Sequence, residues 1–165
     1  MIGEPDGDWY YEMQELGFNY RITDFQSALG SSQLKKLNGF IKRRRSIASF
    51  YNGEFCSNPY FDLPPEKDGK FSSYHLYPIR LKDNLAGYKK DIFQALRTAG
   101  LGVQVHYIPV YLHPYYRKKG YPRGLCTNAE RFYKSEISLP LYPRLSASDA
   151  IYVVKTTLSV MKQFT

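Results

Sequence analysis

The chain has 165 residues, 43% of them hydrophobic and 16% aromatic, enough apolar matter for a packed core and too much for a disordered chain. Lys and Arg outnumber Asp and Glu by 23 to 15, and the resulting charge of +8 favours acidic partners without choosing between phosphates, nucleic acid and a membrane surface. No apolar run is long enough to span a membrane, the polar start Met1-Ile2-Gly3-Glu4-Pro5-Asp6 is no signal peptide, and the distant Cys56 and Cys126 fit no metal spacing; the expected setting is cytoplasmic, with both thiols reduced.

In chain order, residues 1–8 read as a Gly-, Pro- and acid-rich arm, and residues 9–21, without a clear period, as an extended loop. Thr23, with Gln26 three residues on, forms a capping box, and Phe25, Ala28, Leu29, Leu34, Leu37, Ile41, Ile47 and Phe50 recur near helical spacing. One long helix is expected from there to about Phe55, weakened at Gly30 and Gly39 by about 1 kcal/mol each relative to Ala. Turn residues fill 56–73, a strand is expected over 74–81 with Pro78 marking an edge or bulge, and an amphipathic helix over 88–99 stops at Gly100. A second short strand follows over 103–106. A loop dense in Tyr, Pro and basic residues covers 108–124, with room for one short helix. Thr127 and Glu130 suggest another capping box for a helix to about Ile137, residues 138–141 an extended piece, and Ser146 to Asp149 the start of a last helix. The order helix, strand, helix, strand, helix, strand, helix predicts a small α/β domain, with a short sheet covered by helices.

Several blocks carry a family resemblance. Gly17-Phe18-Asn19-Tyr20-Arg21-Ile22-Thr23-Asp24, continued by Gln33-Leu34, resembles a signature of the DegT/StrS-type sugar aminotransferases. So do Tyr74-His75-Leu76-Tyr77, the run from Gly100 through His106-Tyr107 to Pro109, and Ser138-Leu139-Pro140-Leu141-Tyr142-Pro143. Together they cover nearly the whole chain, in order.

The resemblance implies the C-terminal domain of a type I PLP-dependent aminotransferase fold, in which two subunits build each active site. Residues 1–22 would be an arm and active-site loop, and residues 23–165 the small domain with its long connecting helix. Asn19 would enter the partner's site and bond the pyridoxal phosphate, since an amide gives two donors without added charge. Arg21, His106 and Tyr107 would face the nucleotide-sugar substrate; guanidinium suits phosphate bidentately.

The family's Schiff-base lysine motif, a serine before the lysine and a glycine-rich sequel, is not among these residues. Ser31 to Lys35 has a superficially similar spacing but lies inside the expected helix. The resemblance therefore implies that the large PLP domain precedes Met1, that no catalytic residue lies in this chain, and that the chain alone neither holds PLP nor transaminates. An amino-acid donor, typically glutamate, and a homo-oligomeric state belong to the same implication.

Other readings compete. The run Lys42-Arg43-Arg44-Arg45 could bind nucleic acid, but such runs are more often a helix's solvated face, and the aromatics nearby recur with core periods. His75, His106 and His113 are not clustered as metal ligands; His75 reads as a core histidine and His106 as a cleft residue. The loop with Tyr107, Tyr111, Tyr115, Tyr116 and Tyr121 beside Arg117, Lys118, Lys119 and Arg123 reads equally as a sugar-facing rim or as an interface. A non-catalytic dimerisation module, with the long helix and aromatic loop as its interface, remains the rival from another class, and a domain cut from a larger enzyme is expected to expose an apolar patch on the sheet or long helix and to self-associate through it.

Overall fold

A computed structural model describes residues 13–18 and 20–165. The chain divides into two compact units, Met1–Leu37 and Asn38–Thr165. In the first, the described residues before Thr23 form no helix or strand. Thr23 then caps helix α1 (Asp24–Leu34) as expected: its hydroxyl accepts from the Gln26 amide, and the Gln26 side chain accepts from the Thr23 amide. No residue of α1 is buried.

The single long helix expected over 23–55 is instead two. Lys35 and Lys36 form a turn, and α2 (Leu37–Phe55) restarts after it. Periodicity alone does not register such a break, because the apolar spacing continues across it. From α2, Ile47, Ala48, Tyr51 and Phe55 enter the core of the second unit, a set at helical spacing on one face.

The sheet is antiparallel, in the order β1 (Phe61–Asp62), β2 (Tyr77–Leu81), β3 (Glu136–Leu139). Phe61 pairs with Leu81, and Tyr77 with Leu139. The strand expected over 74–81 starts three residues late, because Tyr74 sits at φ 45°, the left-handed region that a bulky residue occupies only at a cost and that no strand continues through. Two residues of β1 are too few to show a period, which hid that strand in the sequence. Short α3 (Asp83–Ala86) follows β2.

Amphipathic α4 (Lys89–Thr98) buries Ile92 and Leu96. It ends as the sequence predicts: Gly100 takes φ 81°, its amide bonds the Arg97 carbonyl, and the Leu101 amide bonds that of Leu96, a Schellman closure. A 3₁₀ turn at Val110–Leu112 and α5 (Pro114–Lys118) occupy the tyrosine-rich loop. Next come α6 (Thr127–Ser135) and, after β3, α7 (Ala147–Met161), capped by Ser146, whose hydroxyl accepts from the Asp149 amide. The expected capping box at Thr127 does not form: Cys126 holds the cap position without a side-chain bond, and Glu130 is engaged elsewhere. The core is continuous from Tyr51 and Phe55 through Tyr77, Ile79 and Ile137 to Val153 and Met161. Fully burying a Leu, Ile or Phe side chain contributes about 1.5–3 kcal/mol, so this cluster carries most of the unit's stability.

Candidate functional site

His106 and Tyr107 follow α4 on the segment that runs beside β3. The expected strand over 103–106 shrinks to a single bridge, in which Gln104 and Ser138 exchange both backbone bonds, at 2.8 and 3.2 Å. The cause is a side chain. Two residues further on, the ladder would pair His106 with Glu136, but the His106 amide donates 2.8 Å to the Glu136 carboxylate instead.

Glu136 is fully buried and Ser138 almost so. They project to the same face of β3, being two residues apart in a strand. The Ser138 hydroxyl donates to the second carboxylate oxygen of Glu136 at 2.5 Å, and His106 Nδ1 lies 2.8 Å from the same hydroxyl. The His106 ring is only half-buried, and among the described residues nothing hydrogen-bonds its Nε2. Tyr107 is exposed, its ring edge-on to His106 at 4.6 Å between centroids. A serine, a histidine and a glutamate in contact do not make a nucleophile here: the serine is buried, and it lies between the acid and the base rather than at the open end of the chain.

Sequence reading named His106 and Tyr107 as candidates and did not name Glu136, which bonds the His106 amide. The signal was there: in Glu136-Ile137-Ser138-Leu139 two polar residues alternate with two apolar ones, the period of a strand with polar business on one side.

The loop after Tyr107 is tied down by one carboxylate. Glu130 on α6 accepts from the Tyr111 hydroxyl at 2.8 Å and from the Gly124 amide at 2.6 Å, and the Cys126 amide bonds back to the Tyr111 oxygen at 3.2 Å. The Tyr111 hydroxyl bond holds the Glu130 carboxyl below its usual range, and burial raises the Tyr111 phenol. Tyr116 stands edge-on between Tyr115 and Tyr121, and the Lys119 ammonium lies 4.6 Å over the Tyr115 ring.

Arg21 is exposed in the first unit; Asn19 lies outside the described residues. Only His106 and Tyr107, of the expected site residues, share a unit and can be placed together. His75 is exposed and outside β2, contrary to its reading as a core histidine. The arginine run is not a solvated face either. Arg43 donates to the Leu145 carbonyl at 2.6 Å, Arg45 grips Glu66 and the Ser72 carbonyl at 2.7 and 2.8 Å, and the Arg44 Nε is buried without a partner among the described residues. Only Lys42 of that run is exposed.

A Schiff base needs a lysine whose amine is accessible and held in a cleft. Among the described residues Lys89 is the one half-buried lysine, and its ammonium is bonded to the Tyr133 carbonyl and lies 4.6 Å over the Tyr133 ring. Burial lowers its pKa, while the Glu136 charge works the other way. Lys35, the lysine of the superficial serine spacing, caps the end of α1. With the half-buried Lys89 committed to Tyr133, the described residues do not fit a cofactor-bearing lysine. They also hold no group of three or more His, Cys, Asp or Glu fit for a metal ion, and none of their helices is long and apolar enough to cross a membrane.

A small mixed domain that presents a histidine and a tyrosine at the end of a short sheet suits one wall of a larger site. The family model for DegT/DnrJ/EryC1/StrS aminotransferases matches residues 2–158. The chain belongs to that family. It is 44% identical over 155 residues to the UDP-4-amino-4,6-dideoxy-N-acetyl-beta-L-altrosamine transaminase of Campylobacter jejuni subsp. jejuni serotype O:2, covering 94% of this chain and 41% of that protein. The solved structure of Helicobacter pylori PseC, an aminotransferase involved in the biosynthesis of pseudoaminic acid, superposes with a TM-score of 0.88 at 35% identity, over 96% of this chain and 43% of that one. The PLP form of the putative sugar aminotransferase Spr1654 from Streptococcus pneumoniae has a TM-score of 0.88 at 28% identity, over 95% of this chain and 40% of that one. The chain therefore spans about two fifths of the length of these relatives, and the fold expected from the resemblance is the one they share.

Proposed function

We propose that this chain forms the substrate-side, C-terminal part of a PLP-dependent aminotransferase. The complete enzyme moves an amino group from an amino acid, glutamate, to a keto sugar carried on a nucleotide, for surface polysaccharide or glycan synthesis in the cytoplasm. The observation that carries the reading is the family match over residues 2–158, supported by 44% identity to a UDP-sugar transaminase. The wording of residues 106–116 favours a sugar of the pseudaminic acid type.

In this reading residues 1–22 are the arm and active-site loop, and residues 23–165 the small domain. Asn19 donates its amide to the cofactor phosphate of a second subunit, which makes the enzyme a homo-oligomer. Arg21 meets the nucleotide's phosphates, and His106 and Tyr107 shape the sugar pocket: an imidazole and a phenol bond hydroxyls, and the two rings exclude water from one side of the substrate. The cofactor supplies the electron sink when bound; its lysine comes from another segment, so these 165 residues alone do not transaminate.

Fusing this chain behind the first three fifths of the Campylobacter relative tests the reading. Transamination of that relative's UDP-keto sugar, lost when His106 or Arg21 becomes alanine, is the expected result. A folded, cofactor-loaded fusion that aminates no nucleotide sugar would overturn it.

A further inference from the structure

A buried carboxylate must be paired or bonded, because an unpaired ion in the interior costs several kcal/mol. Glu136 meets this demand with two donors: the His106 amide on one oxygen and the Ser138 hydroxyl on the other, at 2.8 and 2.5 Å. The half-buried Lys89 ammonium adds an attractive charge. Both oxygens of Glu136 thus serve as acceptors.

The consequence reaches the ring of His106. The Ser138 hydroxyl has one proton, and it goes to the accepting Glu136 oxygen. The Ser138 oxygen is then left with lone pairs only, and His106 Nδ1, 2.8 Å away, can approach it only as a donor. The neutral ring must carry its proton on Nδ1. Its Nε2 is a bare lone pair, unpartnered among the described residues and on a half-buried ring.

We propose that Glu136 and Ser138 are positioning residues that fix His106 as the Nδ1–H tautomer, so that Nε2 is presented to the substrate as a hydrogen-bond acceptor. The group it would take is a donor, a sugar hydroxyl or an amine, rather than a phosphate oxygen, which bare Nε2 would repel. That last step rests on the assignment of His106 to the substrate side; the tautomer itself does not. The opposite arrangement requires a protonated Glu136 that donates to Ser138, which in turn donates to Nδ1, and it leaves a proton on Nε2.

Long-range ¹⁵N–¹H correlation spectra of the histidine rings in the whole 165-residue chain, at a pH where the His106 ring is neutral, decide between them. The expected spectrum shows His106 protonated on Nδ1, by roughly fivefold or more over the other form, as one net hydrogen bond provides. In S138A the preference falls toward parity, while His75 and His113, exposed and outside the network, keep their patterns. A wild-type His106 protonated on Nε2 overturns the proposal, and so does a folded S138A chain with the Nδ1–H preference intact. If S138A does not fold, the wild-type spectrum decides alone. The fusion assay above stands apart: it can fail with the tautomer as proposed, and the tautomer can be wrong in a fusion that transaminates.

Discussion

Glu66 gathers more donors than any other exposed acid in the described residues. Arg45 reaches it twice, at 2.7 and 3.2 Å, the Ser72 amide at 2.7 Å and the Tyr74 hydroxyl at 3.3 Å. With the Ser72 hydroxyl on the Tyr74 amide, these bonds hold Tyr74 at φ 45°. The Arg45 guanidinium, first among the causes, lowers the Glu66 carboxyl to about 2 from 4.5. Because the folded value is the lower one, the stabilisation is complete above pH 4.5 and is lost as pH falls towards 2. Denaturant titrations of E66Q should therefore lose less stability than wild type across that window; equal losses would mean the clamp adds nothing. Tyr51 is a second case. It is fully buried, burial raises its phenol, and its hydroxyl donates to the Pro140 carbonyl at 2.9 Å. Y51F keeps the packing and leaves that carbonyl unpaired, so chemical denaturation should show a loss of about 1–2 kcal/mol. Both residues look ordinary in the sequence, where nothing marks a tyrosine as polar-anchored or an acid as shared. The same blindness covers Glu136, whose partner arrives from 30 residues away.

At the scale of elements, the helices that end on local chemistry were legible. Thr23, Ser146 and Gly100 cap or stop their helices through bonds to residues within five positions, and sequence spacing contains all of that information. Elements decided by distant partners were not. The strand over 103–106 is cut short by a carboxylate from β3, and the Thr127 box is unmade because Glu130 serves Tyr111 and Gly124. That service sets an expectation for the loop: in E130A the amides of Gly124 and Cys126 should exchange with deuterium distinctly faster, while those of α4 stay unchanged. Unaltered exchange would show the loop is held by other means. Helix α1 carries a different expectation. A capped helix of 11 residues with nothing buried is marginal by itself in water. Its amides should exchange far faster than those of α7, whose Val153, Val154 and Val160 are buried.

At the scale of the whole molecule an apolar patch is expected on the sheet or the long helix, and the large apolar residues of the sheet are buried. Every residue of β3 is buried, whereas Phe25 and Leu29 of α1, one turn apart on the same side, are 83 and 57% exposed. Burying such a face is worth roughly 25 cal/mol per Å², so the chain should self-associate as its concentration rises. Sedimentation should show this, and F25D should shift the population to monomer; an acid in the first turn of a helix leaves the helix itself favourable. The family was legible in the sequence because its motifs are contiguous. The arrangement that supports His106 was not, because it joins residues that meet only after the sheet forms. The absence of the lysine motif was legible too, and it bears on the central claim. Incubating the purified chain with pyridoxal phosphate, reducing with borohydride and mapping the peptides tests that claim most directly. The account predicts no site-specific pyridoxyl-lysine; a single lysine labelled stoichiometrically would contradict it, since the chain would then hold a cofactor site of its own.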